Sequence, residues 1–276
     1  MSARTYSLRG ADYLQKKNYS QAEPLFNEAL KYSDADERAH WGLAEVLWKE
    51  KQTQEAIKHM SQAVNLSEEN PEYIVRLGEM YLEVNDLDQS LLQAEKALSH
   101  DRKHAAAWEL KGRVLKQRNQ LRDALDSYSM AMIYRPDHAA SRIAMADIYR
   151  KLGRPQMALV TLDELAEDQP TEPLSAQAWM LKGQALAALG ETSESKACLA
   201  QATRCVGEDE PDVMVALAQI HMASGEIGQA RTSIVRALQC EPDNSAARTL
   251  QAELDQSLTD LARTNLAAQP TPWKQN

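Results

Sequence analysis

The sequence predicts an all-α fold: an α-solenoid, or superhelix, of seven helical hairpins closed by one further helix at the C-terminal end. Three observations carry that expectation. Small residues recur with a period of about thirty-four. Large residues, mostly apolar, recur between them at offsets of three and four. The few glycines and prolines fall where such a period needs a turn or a stop.

The composition suits helices. Of 276 residues, 43% are hydrophobic, enough for a core, yet there is a single Phe, and Ala and Leu dominate the apolar share. Both lose little side-chain entropy in a helix. With ten Gly and ten Pro, breakers are sparse and should mark boundaries.

The period begins at Gly10 and continues through Ala44, Gly78, Gly112, Ala146, Gly183 and Ala218, at spacings of 34, 34, 34, 34, 37 and 35. Twelve residues after each stands Ala22, Ala56, Ser90, Ala124, Ala158, Ser195 or Ala230. Seven further on stands Ala29, Ala63, Ala97, Ala131, Leu165, Ala202 or Ala237. Helices approach closely only where side chains are small, so these columns mark helix–helix contacts. The large residues interleave. Tyr13, Leu47, Tyr81, Leu115, Tyr149, Leu186 and His221 lie three after the first column, on the same face. Phe26, Met60, Ala94, Tyr128, Leu162, Leu199 and Ile234 lie four after the second.

Each period therefore holds two helices. The turn between them carries a residue tolerant of left-handed geometry at Asn85, Asn119, Gly153, Gly190 and Gly225. Pro155 opens a second helix, where its missing N–H is harmless. Pro136, Pro170 and Pro242 stop second helices. The repeats run over about 3–36, 37–70, 71–104, 105–138, 139–172, 176–209 and 211–244.

These residues resemble the tetratricopeptide repeat family over residues 3–244. The pattern is fullest in the fourth repeat, at Trp108, Gly112, Leu115, Ala124, Tyr128, Ala131 and Pro136, and clear in the seventh, at Leu217, Ala218, Ala230, Ala237 and Pro242. The chain departs from it at repeat ends, where Asp34, Glu68, Arg102 and Gly207 replace Pro, and at His221, where Tyr or Leu is usual.

After Asn244, Leu250, Leu254, Leu258 and Leu261 form one apolar stripe, the pattern of a capping helix over 245–266 that covers the last repeat. The tail 267–276, with Trp273, is Pro-containing and expected to be disordered. Pro173, Leu174 and Ser175 are additional residues between the fifth and sixth repeats, read as a packing offset, with a hinge as the alternative.

Charge and missing motifs exclude several function classes. A net charge of −9 is repelled by phosphate backbones, so nucleic acid is not the expected partner. No stretch approaches the ~20 apolar residues of a membrane span, and Met1–Ser20 contains no signal-peptide core. The expected location is cytoplasmic, on missing signals alone. Cys198, Cys205 and Cys240 are too few for a disulfide framework and read as free thiols. Phosphate-binding loops, a nucleophile elbow and zinc signatures are absent, so neither an enzyme nor a cofactor or metal is expected. His100 and His104, four apart, straddle an inter-repeat turn and read as solvated.

The family resemblance implies that the first helix of each pair lines a concave groove, where partner peptides bind. In that register the groove residues are Trp41, Glu45 and Trp48, then Arg76, Glu79 and Glu83, then Glu109, Arg113 and Lys116, then Ile143, Asp147, Arg150 and Lys151, with Met180, Gln184, Gln219 and Met222 more neutral beyond. Trp and Arg are favoured interface anchors. In one reading Trp41 and Trp48 receive an apolar side chain, and Arg113, Lys116 and Arg150 hold carboxylates. In the other, the tryptophans pack between neighbouring first helices and the charges pair among themselves, Glu109 with Arg113 and Asp147 with Arg150 or Lys151. Some tetratricopeptide proteins grip acidic chaperone tails through a Lys/Asn clamp. Here Leu8, Ala11 and Gly42 stand where polar residues would be needed, so that role is not expected.

The expected function is a non-catalytic scaffold or adaptor that binds an extended segment or helix of another polypeptide. The alternatives are a substrate-recruiting repeat domain of a larger enzyme or complex, and a regulator that senses a small ligand or peptide.

Overall fold

The structure, a computed structural model, describes residues 2–168, 174–206 and 210–267. Among them fifteen α-helices follow one another without a strand. The first hairpins are α1 (Ala3–Gln15) with α2 (Tyr19–Tyr32), α3 (Glu37–Lys49) with α4 (Thr53–Leu66), and α5 (Pro71–Glu83) with α6 (Leu87–His100). Next come α7 (Ala105–Gln117) with α8 (Leu121–Tyr134), and α9 (Ala139–Lys151) with α10 (Pro155–Asp168). The last are α11 (Ala176–Ala188) with α12 (Thr192–Val206), α13 (Pro211–Ala223) with α14 (Ile227–Cys240), and the single helix α15 (Ser245–Ala267). The chain divides into two compact units, Met1–Ser141 and Arg142–Asn276, each a stack of helical hairpins.

The repeated columns are the core. All twenty-one positions of the small columns are buried, and the seven residues from Phe26 to Ile234 that follow the second column are almost completely so. Phe26 shows why small residues are required. A Cβ added at Gly10 would lie 2.7 Å from its ring, and one at Gly42 would overlap it. Gly42 belongs to the next hairpin, so a single ring fixes the close approach of α1 and α3. Leu110 does the same for Gly78, 2.5 Å from an added Cβ, while Tyr128 and Leu199 cover Gly112 and Gly183 at 3.0 Å.

The two serines of the second column pack as alanines do and satisfy their hydroxyls. Ser90 Oγ donates to the Gly78 carbonyl at 2.8 Å, and Ser195 Oγ to the Gly183 carbonyl at 2.8 Å. Lys111 and Lys182 stand where Leu43 and Leu77 stand in other repeats. Each ammonium lies over the Trp three residues earlier, at 5.9 Å from Trp108 and 5.8 Å from Trp179, and meets a carboxylate of the preceding helix, Glu95 at 3.0 Å or Asp163 at 2.5 Å. The aliphatic stem covers the apolar surface while the charge is paired.

Every hairpin turn closes through one left-handed residue. Asn85, Asn119, Gly153, Gly190 and Gly225 take positive φ as the sequence leads one to expect, and the first two turns use Lys17 (φ 56) and Lys51 (φ 62). The following N–H then reaches back five residues to a carbonyl of the first helix, as from Gln52 to Leu47 at 2.9 Å and Glu226 to His221 at 2.8 Å. At His221 the usual Tyr or Leu is replaced by an imidazole whose Nδ1 lies 2.6 Å from Glu226, which Lys196 also holds at 2.6 Å. Lys196, then His221, keeps the Glu226 carboxyl below its ordinary range.

The proline stops hold at Pro136 and Pro242, just beyond α8 and α14, while Pro170 lies outside the described residues. Pro71 and Pro211 open α5 and α13, and α2 runs through Pro24 although prolines were expected at boundaries. Of the additional residues between the fifth and sixth repeats, Leu174 packs against the core around Leu162 and Leu181, and Ser175 caps α11 by accepting from Ala178 N at 3.2 Å. Pro173 lies outside the described residues. On α15, Ala247, Leu250 and Leu254 bury against Val213, Ala218 and Ile234, whereas Leu258 is 38% exposed. The Leu261 side chain, Trp273 and the tail from residue 268 lie outside the described residues; Ala267 still belongs to α15. Cys198 is buried, and Cys205 and Cys240 are exposed.

Gly42→Ala should lower stability by about 1–3 kcal/mol, because Phe26 has no room to yield. Equilibrium urea unfolding followed by circular dichroism measures the loss. Lys51→Gly should act in the opposite direction, by about 0.5–1 kcal/mol, by relieving a left-handed non-glycine residue.

Candidate functional site

With one face of each first helix committed to the small columns, the remaining stripe is free to carry other side chains. Of the expected groove residues, nine lie on that stripe in the first unit: Trp41, Glu45 and Trp48 on α3, Arg76, Glu79 and Glu83 on α5, and Glu109, Arg113 and Lys116 on α7. Asp147 and Arg150 lie on α9 in the second unit.

Trp41 stands between two clefts. One, of about 530 Å³, is walled by Ala11, Leu14, Tyr19 and Trp41, with Lys17, Glu45 and Lys49 around it. The other, of about 520 Å³, lies between α3 and α5, where Trp41 meets Tyr73 and is ringed by Arg38, Glu45, Glu72 and Arg76. The Trp41 and Tyr73 rings are stacked, 6.3 Å between centroids at 14°. Trp48 is placed differently. It packs against the core on both sides of α3 and donates its indole N–H to Glu83 Oε2 at 3.1 Å, bridging α3 to α5.

The charges in the first unit form a network across three helices. Arg76 donates to both oxygens of Glu45, Nε to Oε1 at 2.6 Å and Nη2 to Oε2 at 3.0 Å, and through Nη1 to Glu79 Oε2 at 3.1 Å. This forked pairing is the strong geometry for guanidinium and carboxylate. Burial opposes the Arg76 charge, and the bonds to Glu45 and Glu79 outweigh it, so its pKa is raised. Arg113 Nη1 stands 3.8 Å from Glu79 Oε1, a looser contact, with its side chain 40% exposed. Glu109 turns to His138 Nε2 at 3.3 Å. The pairing sketched from helical spacing, Glu109 with Arg113, is thus replaced by contacts beyond α7, to α5 and to the turn before α9.

In the second unit, Asp147 is buried and accepts from Arg150 Nη2 at 2.9 Å, with Lys151 Nζ 3.2 Å from its other oxygen. Met180 lines a cleft of about 310 Å³ with Ala176, Gln177, Glu210, Asp212 and Val213. His100 and His104 do not act together. His100 meets Glu69 at 2.8 Å; His104 meets Glu72 at 3.1 Å and caps α7 by accepting from Ala107 N at 3.2 Å.

Of the walls of the two clefts, sequence reasoning passed over Leu14, Tyr19 and Tyr73 and named Ala11 only as a place without a polar group. The signal for two of them was present: Ala11 and Leu14 stand thirty-four residues before Glu45 and Trp48. Carrying the groove register back by one repeat finds them. Tyr19 opens a second helix and Tyr73 adjoins the stripe, and no period points to either.

Arg76→Met leaves Glu45 and Glu79 half-buried without their cation and should lower stability by about 1–3 kcal/mol. Urea unfolding of the single variant and of Arg76→Met with Glu45→Met checks this, the second change restoring most of the loss.

Family models described as tetratricopeptide repeat match residues 8–73, 47–114, 115–184 and 176–204. The chain is 26% identical over 141 residues to a BBSome complex member BBS4 homolog of Drosophila melanogaster, covering 49% of this chain and 28% of that protein. It is 23% identical over 154 residues to anaphase-promoting complex subunit 3 of Schizosaccharomyces pombe, covering 56% of this chain and 23% of that protein. The chain thus spans less than a third of the length of either relative. In fold it is similar to a tetratricopeptide repeat protein of Parabacteroides merdae, with a TM-score of 0.72, 14% identity, and coverage of 91% of this chain and 98% of that one. With the hairpin stack, the buried small columns and these matches together, the chain belongs to the tetratricopeptide repeat family.

Proposed function

We propose that this protein is a non-catalytic interaction module whose first unit binds an extended segment or a helix of another polypeptide along its first helices. The observation that supports this most is the placement of Trp41, partly buried between two clefts, one walled by Ala11, Leu14 and Tyr19 and the other by Tyr73 within a charged ring. An aromatic wall beside a cleft of this size suits a partner's apolar side chain. Arg113, only loosely held by Glu79, and Lys116 on the next turn would receive carboxylates of the same partner. A rigid stack presents these groups already ordered, which spares part of the entropy lost on binding.

The lengths and names of the relatives favour a role inside a larger assembly. Both are named as members of multiprotein complexes, and this chain matches less than a third of each. In that setting the module would organise other subunits or recruit substrates to them.

The test is an affinity capture from native lysate with wild type, Trp41→Ala and Arg113→Glu, each confirmed folded by circular dichroism. A polypeptide retained by wild type and weakened at least about tenfold by either substitution supports the reading, since loss of one interface anchor of this kind amounts to about 1–2 kcal/mol or more. Equal capture by all three would place the binding surface elsewhere.

A further inference from the structure

His40 and His59 meet across the second hairpin, on α3 and α4, with their Nδ1 atoms 2.9 Å apart and their ring centroids 5.1 Å apart. The other His40 nitrogen, Nε2, lies 3.0 Å from the Asp34 carbonyl. A carbonyl only accepts, so Nε2 of His40 carries a proton, and in the neutral imidazole that leaves a lone pair at Nδ1, turned towards His59. In the metal-free state His59 Nδ1–H donates into that lone pair.

Packing does not require this arrangement. The residue in the same register of the fourth repeat is Trp108, and its Nε1–H donates to the Arg102 carbonyl at 2.8 Å, the same bond over the same six-residue separation. A Trp does that job with no second nitrogen. The His40 Nδ1 lone pair aimed at a second imidazole is additional chemistry, and opposite Trp108 the register of His59 holds Ser127.

We propose that His40 and His59 chelate one divalent transition-metal ion through their two Nδ1 atoms. The observed 2.9 Å is the length of the His59 N–H···N His40 hydrogen bond, so the ion would take the place of that proton between two nitrogens already side by side. Imidazole ligands suit Cu(II) and Ni(II) as well as zinc. His40 is already in the required tautomer, and its Nε2–H to a backbone carbonyl is the outer-shell bond that usually orients a metal-binding histidine. His59 moves its proton from Nδ1 to Nε2 as its Nδ1 lone pair binds the ion, so no net proton is released from a neutral pair. Burial first, then His40 and Lys58, hold the His59 pKa below its ordinary value against a small opposing effect of Glu55. Among the described residues no set of three or more His, Cys, Asp or Glu side chains converges as a metal site, so the pair acts alone and water fills the remaining positions.

Calorimetric titration of the untagged full chain with NiCl2, and separately with CuCl2, in a non-coordinating buffer tests this. The expected result is one saturable site per chain, weakened about tenfold or more by His59→Gln and by His40→Gln and unchanged by His100→Gln. Electron paramagnetic resonance of the Cu(II) complex should show coupling to two imidazole nitrogens in wild type and to one in His59→Gln. No saturable binding in wild type, or binding that survives in a folded His59→Gln variant, overturns the proposal.

Discussion

Two helices can be brought to touching distance only if the side chains at the contact are small or absent, and this chain meets that constraint in every repeat. Gly10 and Gly42 admit the Phe26 ring, Gly78 admits Leu110, and Gly112 lies under Tyr128. Van der Waals contact at such points is individually weak and collectively large. It also leaves no slack. A ring that touches glycines on two successive hairpins fixes how those hairpins stack, and the turns then have one workable geometry. The left-handed residue after each first helix, from Lys17 to Gly225, follows from that fixed spacing. Where the residue is lysine, the chain accepts a strained turn so that the helices can meet.

The same constraint creates the surface available for recognition. A first helix that gives one face to the contact columns presents its other stripe to neighbouring first helices and to solvent. Charged residues there are close enough to pair across helices, and in the first unit they do so around Arg76. That network holds α3 and α5 together, and two of its members, Glu45 and Arg76, also line the clefts beside Trp41. The two tryptophans of that stripe meet α5 in different ways: Trp48 donates its N–H to Glu83, and Trp41 stacks on Tyr73.

Repetition also lets one position take different chemistry without disturbing the stack. The register that holds Trp108 and Trp179 holds Ile74 in the third repeat and His40 in the second. The hydrogen bond to the inter-repeat turn is made by indole in one case and imidazole in another. Likewise Lys111 and Lys182 replace leucine because each finds both an aromatic face and a carboxylate. Departures from a repeat pattern are therefore informative when the substitute brings a functional group that packing alone would not need.

The sequence by itself determined the helical class, the period and the buried columns. Each of these depends on residues within one repeat length of one another, and helix geometry converts their spacing directly into a shared face. It also located five of the seven left-handed residues that close the hairpins, because Asn and Gly advertise that geometry and Lys does not. Only the tertiary structure decided which side chains meet between helices. Helical spacing pairs Glu109 with Arg113, yet Arg113 reaches Glu79 and Glu109 reaches His138. Glu45 finds Arg76 thirty-one residues away, and His40 finds His59 across a hairpin. Long side chains on adjacent helices choose among several partners at similar distances, and that choice is set by the exact offset between helices. The contact columns specify that offset in space but do not write it in the sequence.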